Sequence, residues 1–97
     1  MNFGRILRRL RREKGVSIKQ LAPAVGVSYT YISKLENSRV SPSPEVVERL
    51  SHYFDHDSDE LMFAAGKIPK DIITILQSNP QEAASYLRKR FANAASK

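Results

Sequence analysis

The sequence predicts an all-α protein, and three observations carry that prediction. Apolar residues recur at helical spacing along the 97 residues, residues that start or stop helices stand between these runs, and no stretch alternates like a half-buried strand. About seven helices are expected. A chain of this length has room for one small core. We expect a five-helix domain over residues 1–66, followed by a helical extension over residues 67–97.

The first helix is predicted over residues 3–14. Its apolar side chains follow the i, i+3, i+4, i+7 spacing of one helix face: Phe3, Ile6, Leu7 and Leu10. Gly15 then supplies the left-handed residue at which helices often end. Ser17 and Gln20 have the spacing of a capping box, which opens a second helix that stops at Gly26.

Serine caps also mark the third and fourth helices. Ser28 begins the third helix, which runs to about Asn37, and Ser43 followed by Pro44 begins the fourth, which runs to Phe54. The second to fourth helices share an inward apolar face, which is expected to contain Leu21, Ala22, Val25, Ile32, Leu35, Val47, Leu50 and Phe54.

Three shorter helices are predicted in the second half of the chain. Asp57 caps a fifth helix that runs through Ala65, Pro69 starts a sixth, and Asn79 followed by Pro80 starts a seventh. The apolar positions of the last two helices are Ile72, Ile73, Ile75, Leu76, Ala83, Ala84, Leu87 and Phe91. We expect the seventh helix to turn its apolar positions, from Ala83 to Phe91, inward.

Basic residues are concentrated at the N-terminal end. The chain has 16 Lys and Arg against 10 Asp and Glu, a formal net charge of +6. The first 20 positions contain one acid and these basic residues: Arg5, Arg8, Arg9, Arg11, Arg12, Lys14 and Lys19. This asymmetry favours a polyanionic partner. A solvated helix face is the plain alternative, and a membrane surface or a peptide-binding groove would require a bulkier apolar face.

Patterns typical of catalysis and metal binding are absent from the sequence. Without cysteine there is no disulfide, zinc ribbon, iron–sulfur cluster or thiol nucleophile, and no activated serine or glycine-rich phosphate loop supports an enzyme or a cofactor. His52 and His56 are four residues apart, but the second is expected beyond the helix end. The aspartates from Asp55 to Asp59 lack the glycine and glutamate of a calcium loop. No apolar run is long enough to cross a membrane, so we expect a soluble, cytoplasmic protein.

The second and third helices have the pattern of a DNA-binding helix-turn-helix. A small residue, Ala22, stands where the two helices would cross, and Gly26 allows the positive φ of a sharp turn. Ile32 and Leu35 would fill the space beneath them. The combination, behind a basic first helix and ahead of a fourth helix, is more specific than any of its members.

This arrangement resembles the Cro/phage-repressor-type helix-turn-helix family, often called XRE. Residues 7–17 resemble its first helix and turn, residues 28–37 its recognition helix, and residues 42–61 its fourth and fifth helices. Residues from Lys67 onward lie outside the common domain. The resemblance implies a transcription regulator that binds double-stranded DNA in a sequence-specific manner.

The resemblance also implies which residues contact DNA. A recognition helix reads base edges with side chains near its N-terminus. Those that point away from the core face are expected to contact bases: Tyr29, Thr30 and Lys34, with Ser33 as a further candidate. Phosphate contacts are expected from Ser17, Lys19, Gln20, Tyr31, Asn37, Arg39, Ser41 and Ser43. For Tyr31, a position at the edge of the core is an equal alternative.

Glu36 is an acid on the helix expected to contact DNA, which would repel it, and three other residues in this region depart from the family pattern. The resemblance implies that Glu36 pairs with Arg11 on the first helix, which makes both residues structural. Ile18 stands where the family usually has a glutamine that binds phosphate, and Ser38 stands where it usually has glycine. Pro23 lies inside the second helix. We expect these departures to change affinity and docking without abolishing the motif.

Proteins of this type usually bind as two-fold dimers over two half-sites about 34 Å apart. We expect a homodimeric repressor on a pseudo-palindromic operator, with an interface formed partly by Ile72, Ile73, Ile75, Leu76, Tyr86, Leu87 and Phe91. Packing of these residues on their own domain is the alternative. An antitoxin or restriction–modification controller of the same fold, with a protein partner for the last two helices, is a second reading. An interaction adaptor without base readout is a third.

Overall fold

The computed structural model describes residues 2–92, which form seven α-helices and no strand. The helices are α1 (Phe3–Lys14), α2 (Ile18–Ala24), α3 (Tyr29–Glu36), α4 (Pro44–Phe54), α5 (Ser58–Ala64), α6 (Lys70–Ser78) and α7 (Pro80–Arg90). The prediction of an all-α protein is confirmed. The chain divides between Lys67 and Ile68 into two compact units. We call residues 2–67 the N-terminal unit and residues 68–92 the C-terminal unit.

Side chains cap the first four helices. Each cap oxygen accepts a hydrogen bond from a backbone N–H three residues later, and the capping residues are Asn2, Ser17, Ser28 and Ser43. The three serine caps confirm the predicted helix starts. Asp57 and Asn79 occupy cap positions without a side-chain cap bond. The Asn79 amide donates instead to the carbonyl of Ile75, so it closes the end of α6.

Left-handed residues follow the helices of the N-terminal unit. Their φ values are positive at Gly15, Gly26, Ser38, Asp55 and Gly66. At each of them the next backbone N–H bonds back into the last turn, which satisfies helix carbonyls that lack partners. The second helix therefore ends at Ala24, two residues before the predicted stop at Gly26. The third ends at Glu36, with Asn37 as its cap.

The core lies within the N-terminal unit. Helix α3 packs against both α1 and α2, while α4 packs against α5 and α1. The buried hydrophobic residues are Phe3, Leu7, Leu10, Leu21, Ala22, Val25, Ile32, Leu35, Val46, Val47, Leu50, Leu61 and Met62. Phe54, which was predicted to be buried, is only partly buried and packs at the edge of this core.

The C-terminal unit consists of α6 and α7, which pack on each other. Neither helix contains a buried residue. The prediction that Leu87 and Phe91 turn inward is wrong, because their exposed fractions are 43% and 53%. Two short helices offer each other only one apolar stripe, which is too little surface to enclose a large side chain.

Candidate nucleic-acid interface

Helix α3 presents one side to the core and the other to solvent. Ile32 and Leu35 are buried in the core, at 0% and 1% exposure. Tyr29, Thr30 and Lys34 are exposed on the other side, and Ser33 is half-buried. These four side chains line one shallow groove, together with Asn37 and Arg39. The structure thus brings all four predicted base-contacting residues onto one surface with two of the predicted phosphate contacts.

The turn between α2 and α3 has the expected small residues. Ala22 is buried at 2% exposure where α2 packs on α3, and Gly26 adopts a left-handed φ of 73°. Arg49 of α4 adds a contact that the sequence did not indicate, because its guanidinium donates to the carbonyl of Val25 at 3.4 Å. This bond holds the turn against the fourth helix.

The N-terminus of α2 is closed by the predicted capping box. The Gln20 N–H donates to Ser17 Oγ at 3.1 Å, and the Ser17 N–H donates to Gln20 Oε1 at 2.8 Å. These two side chains therefore serve the helix end itself. Lys19 is exposed in the same turn, where it adds positive charge to the backbone N–H groups of the first turn. Such an end attracts anions, phosphate included.

The other predicted phosphate contacts follow α3. Arg39 and Ser41 are exposed in the loop between α3 and α4. Ser43 is half-buried, and its hydroxyl accepts from the Val46 N–H as the cap of α4. Tyr31 is partly buried against the core, as its core-edge alternative predicted.

Glu36 and Arg11 form the predicted ion pair. The Arg11 Nε lies 2.6 Å from Glu36 Oε2, and its Nη2 lies 3.1 Å from Oε1. The Glu36 side chain is 2% exposed, and that of Arg11 is 15% exposed. Arg11 also donates to the carbonyl of Val16 at 3.1 Å. The hydrogen bond to Glu36 raises the pKa of Arg11, so the guanidinium remains charged wherever the protein is folded.

A second arginine shares the buried carboxylate. The Nε of Arg8 lies 3.3 Å from Glu36 Oε1, and its Nη2 donates to Asn37 Oδ1 at 3.2 Å. Sequence reasoning assigned Arg8 only to the basic face of α1. The available signal was its position three residues before Arg11, which places both side chains on one side of the helix. Two of the seven N-terminal basic residues are therefore engaged by Glu36 and contribute less charge to a polyanion than their number suggested.

Helix α1 approaches the end of α3 very closely at Gly4. A Cβ atom at this position would lie 2.6 Å from the backbone oxygens of both Leu35 and Glu36. Only glycine fits at that distance. Sequence reasoning missed this contact, because Gly4 has ordinary helical neighbours and nothing local distinguishes it.

The departures from the family pattern find local explanations. Ser38 adopts φ 58°, the left-handed conformation usual for glycine, and its hydroxyl donates to Asn2 Oδ1 at 3.1 Å. Ile18 is half-buried and packs against the core. Pro23 is exposed one residue before α2 ends, so little helix follows the hydrogen bond that it removes.

The histidines and aspartates considered as metal ligands lie in the last turn of α4 and in the residues that follow it. No three metal-ligating side chains come together within residues 2–92. His52 lies in α4, and His56 follows the helix, where its Nε2 is 3.3 Å from Glu60. No helix in the described part of the chain is long and apolar enough to span a membrane.

The fold and the exposed face of α3 define a helix-turn-helix domain, and comparison with known proteins agrees. The family model described as "Helix-turn-helix domain" matches residues 2–62. The chain belongs to this helix-turn-helix family, which confirms the resemblance to Cro/phage-repressor-type regulators. The chain spans about half the length of the curated relatives it matches.

Three individual proteins illustrate the similarity. The HTH-type transcriptional repressor RghR of Bacillus subtilis (strain 168) is 38% identical over 68 residues, which are 69% of this chain and 50% of RghR. The restriction-modification controller protein C.AhdI of Aeromonas hydrophila has a similar structure, with a TM-score of 0.57 and 32% identity over 61% of this chain and 89% of its own. The clp gene regulator ClgR of Corynebacterium glutamicum matches 92% of this chain and 89% of its own, with a TM-score of 0.59 and 28% identity.

Proposed function

We propose that this protein is a sequence-specific DNA-binding transcription regulator that reads the major groove with α3. The observation that carries the proposal is the groove in which Tyr29, Thr30, Ser33 and Lys34 stand together, opposite the buried face of the helix. Lys34 can donate to guanine O6 or N7. Tyr29 and Thr30 can contact a thymine methyl group.

Phosphate contacts on both sides of α3 would hold the helix in the major groove of the DNA. Lys19 with the first N–H groups of α2 provides one side, and Asn37, Arg39 and Ser41 provide the other. Ser17, Gln20, Tyr31 and Ser43 contribute mainly to the framework, because their side chains cap helices or pack at the core edge.

We propose further that the protein acts as a homodimer on a pseudo-palindromic operator. One recognition helix reads too few base pairs to select a site, whereas two helices across a two-fold axis read two half-sites. The C-terminal unit offers the surface for this contact. Ile75, Tyr86, Leu87 and Phe91 are exposed there, and Ile72, Ile73 and Leu76 are only half-buried.

We also infer that the protein represses transcription by occupying promoter DNA, and the similarity to the repressor RghR supports this mechanism. The similarity to C.AhdI favours one alternative, a controller of a restriction–modification operon. An antitoxin would use the C-terminal helices for a protein partner. An adaptor without base readout would not use the exposed face of α3 at all.

The first experiment is selection of fragments from the source genome by the purified protein at about 0.15 M salt, where non-specific binding is weak. Recovery of one inverted-repeat motif supports the dimeric reader, and the neighbouring genes distinguish a general regulator from a restriction–modification controller. A Thr30→Ala, Lys34→Ala variant should lose the motif while keeping its fold. Recovery without a motif would contradict base readout.

The dimer is tested by sedimentation of the intact protein. Leu87→Asp with Phe91→Asp should convert a dimer into a folded monomer, because two charges would then stand in the apolar contact. Gln81→Asp with Ser85→Asp, on the same helix at exposed polar positions, is the matched control. A dimer that survives the first pair contradicts this interface.

A further inference from the structure

Arg8 differs from its neighbour Arg11 in what it reaches at the end of the recognition helix. The Nε of Arg8 lies 3.3 Å from Glu36 Oε1. Its Nη2 lies 3.2 Å from Asn37 Oδ1 and 3.5 Å from the backbone oxygen of Glu36. Arg11 already holds both carboxylate oxygens, at 2.6 and 3.1 Å. The bond to Asn37 is therefore what Arg8 alone supplies.

The Asn37 side chain is held at both of its polar atoms. Its Oδ1 accepts from Arg8, and its Nδ2 donates to the carbonyl of Ser33 at 2.9 Å. An amide nitrogen carries two N–H donors, so one remains without a partner among residues 2–92. Asn37 is exposed and lines the same groove as Thr30 and Lys34. The amide that carries the remaining donor is thus held beside the surface that would face DNA.

We propose that Arg8 is a positioning residue for DNA binding. It holds the Asn37 amide in the orientation that donates to a phosphate, so the first helix sets part of the docking geometry without touching DNA. The proposal rests on the function proposed above. Holding a polar side chain in its bound rotamer before binding avoids the entropy that ordering it would cost.

Substitutions of Arg8 and Arg11 are expected to differ in their effects on folding stability. Arg8 is 38% exposed and Arg11 only 15%, and removal of Arg8 leaves Glu36 paired with Arg11. The Arg8→Ala variant should therefore remain folded. Arg12 offers a matched control, because it is exposed on the same helix and makes no ion pair among the described residues.

The test is a double-mutant cycle on operator DNA with the intact protein. We expect Asn37→Ala to weaken binding about tenfold, the effect of one hydrogen bond to a charged group. Arg8→Ala should weaken binding by about two- to tenfold, because it removes only the ordering of the Asn37 amide. The double variant should bind no more weakly than Asn37→Ala beyond the general loss that Arg12→Ala produces. Arg8→Lys should rescue little, because an ammonium group lacks the planar donors that reach Glu36 and Asn37 together.

Two outcomes would overturn the proposal. If Arg8→Ala weakens binding equally in the Asn37→Ala background, Arg8 acts on DNA directly. If Arg8→Ala lowers the melting temperature but leaves affinity unchanged, its role is only structural.

A readout without DNA separates this proposal from the proposed function. The NMR order parameter of the Asn37 side-chain amide should fall in Arg8→Ala and remain high in Arg12→Ala. An unchanged order parameter in Arg8→Ala contradicts the positioning role even if DNA binding is confirmed. A wild-type protein that selects no motif contradicts the proposed function itself, whatever the order parameter shows.

Discussion

The two units of the chain contain helices of similar length but bury their apolar side chains to very different extents. In the N-terminal unit, Leu7, Leu21 and Ile32 are at most 1% exposed, whereas α6 and α7 contain no buried residue. Both units show apolar residues at helical spacing. The comparison shows that an apolar stripe becomes a core only where stripes from other helices face it.

The difference has a consequence for stability. The N-terminal unit encloses its own core and closes its helices with caps and left-handed residues. Helices of nine and eleven residues are marginal alone in water, because most helix stability in proteins comes from packing. We therefore expect the N-terminal unit to fold independently and the C-terminal unit to depend on another surface.

The largest expected effect comes from separating the units. A chain of residues 1–67 should remain helical and unfold cooperatively, while a peptide of residues 68–97 should lose nearly all its helix at micromolar concentration. Circular dichroism of both fragments checks this. Helix that grows with peptide concentration would support self-association. Full helicity of the peptide at every concentration would contradict the comparison.

The next largest effect is expected at the ion pair between α1 and α3. Arg11→Ala should lower the free energy of unfolding by up to about 3–5 kcal/mol, the cost of leaving a buried carboxylate without its main partner, less what the contact of Arg8 with Oε1 still offsets. Urea denaturation measures the loss, with Arg12→Ala as a control that should stay within about 0.5 kcal/mol. Similar losses in the two variants would mean that Glu36 does not depend on Arg11.

The raised pKa of Arg11 decides how this contribution varies with pH. Because the pKa is higher in the folded than in the unfolded state, the stabilisation is fully present below the ordinary arginine pKa. It is lost only in strongly alkaline solution. From the arginine side, the ion pair should therefore contribute equally to stability from pH 6 to pH 9, the range in which urea titrations of Arg11→Ala and wild type can be compared.

A moderate effect is expected at Gly4. Gly4→Ala should destabilise the N-terminal unit by about 1–3 kcal/mol, since the added methyl would meet two backbone oxygens that cannot move away easily. This loss opposes the gain of about 1 kcal/mol that alanine normally brings to a helix interior. Gly15→Ala is the comparison, because its Cβ would meet nothing within 4 Å and only its positive φ is unfavourable. Thermal melts rank the two, and a more stable Gly4→Ala variant would contradict the close approach.

The smallest effects are expected where other residues replace glycine at helix ends. Asp55→Gly should stabilise the protein by up to about 1 kcal/mol, because it relieves a left-handed φ of 51°. Ser38→Gly should change stability less, since the same relief is offset by loss of the hydrogen bond to Asn2. Equal gains at both sites would show that the Ser38 hydroxyl contributes nothing.

Much of the N-terminal unit could be predicted because its signals are local. Serine caps at Ser17, Ser28 and Ser43 and the left-handed glycines Gly15 and Gly26 act within one turn of the chain. The helix-turn-helix spacing extends over only a few turns. The pairing of Arg11 with Glu36 crosses 25 positions, and only the family resemblance implied it.

The sequence by itself determined the helices, their limits to within about two residues, the exposed face of α3 and the family. The tertiary structure decided what depends on distant segments meeting. Only the packing of α1 on α3 brings Gly4 against the backbone of Leu35. The same packing allows the hydrogen bonds from Ser38 to Asn2 and from Arg8 to Asn37. In the C-terminal unit, the tertiary structure leaves Leu87 and Phe91 exposed, although their spacing is that of buried residues. The physical reason is that capping and periodicity are set by neighbours in the chain, whereas burial is set by whichever surfaces the fold brings together.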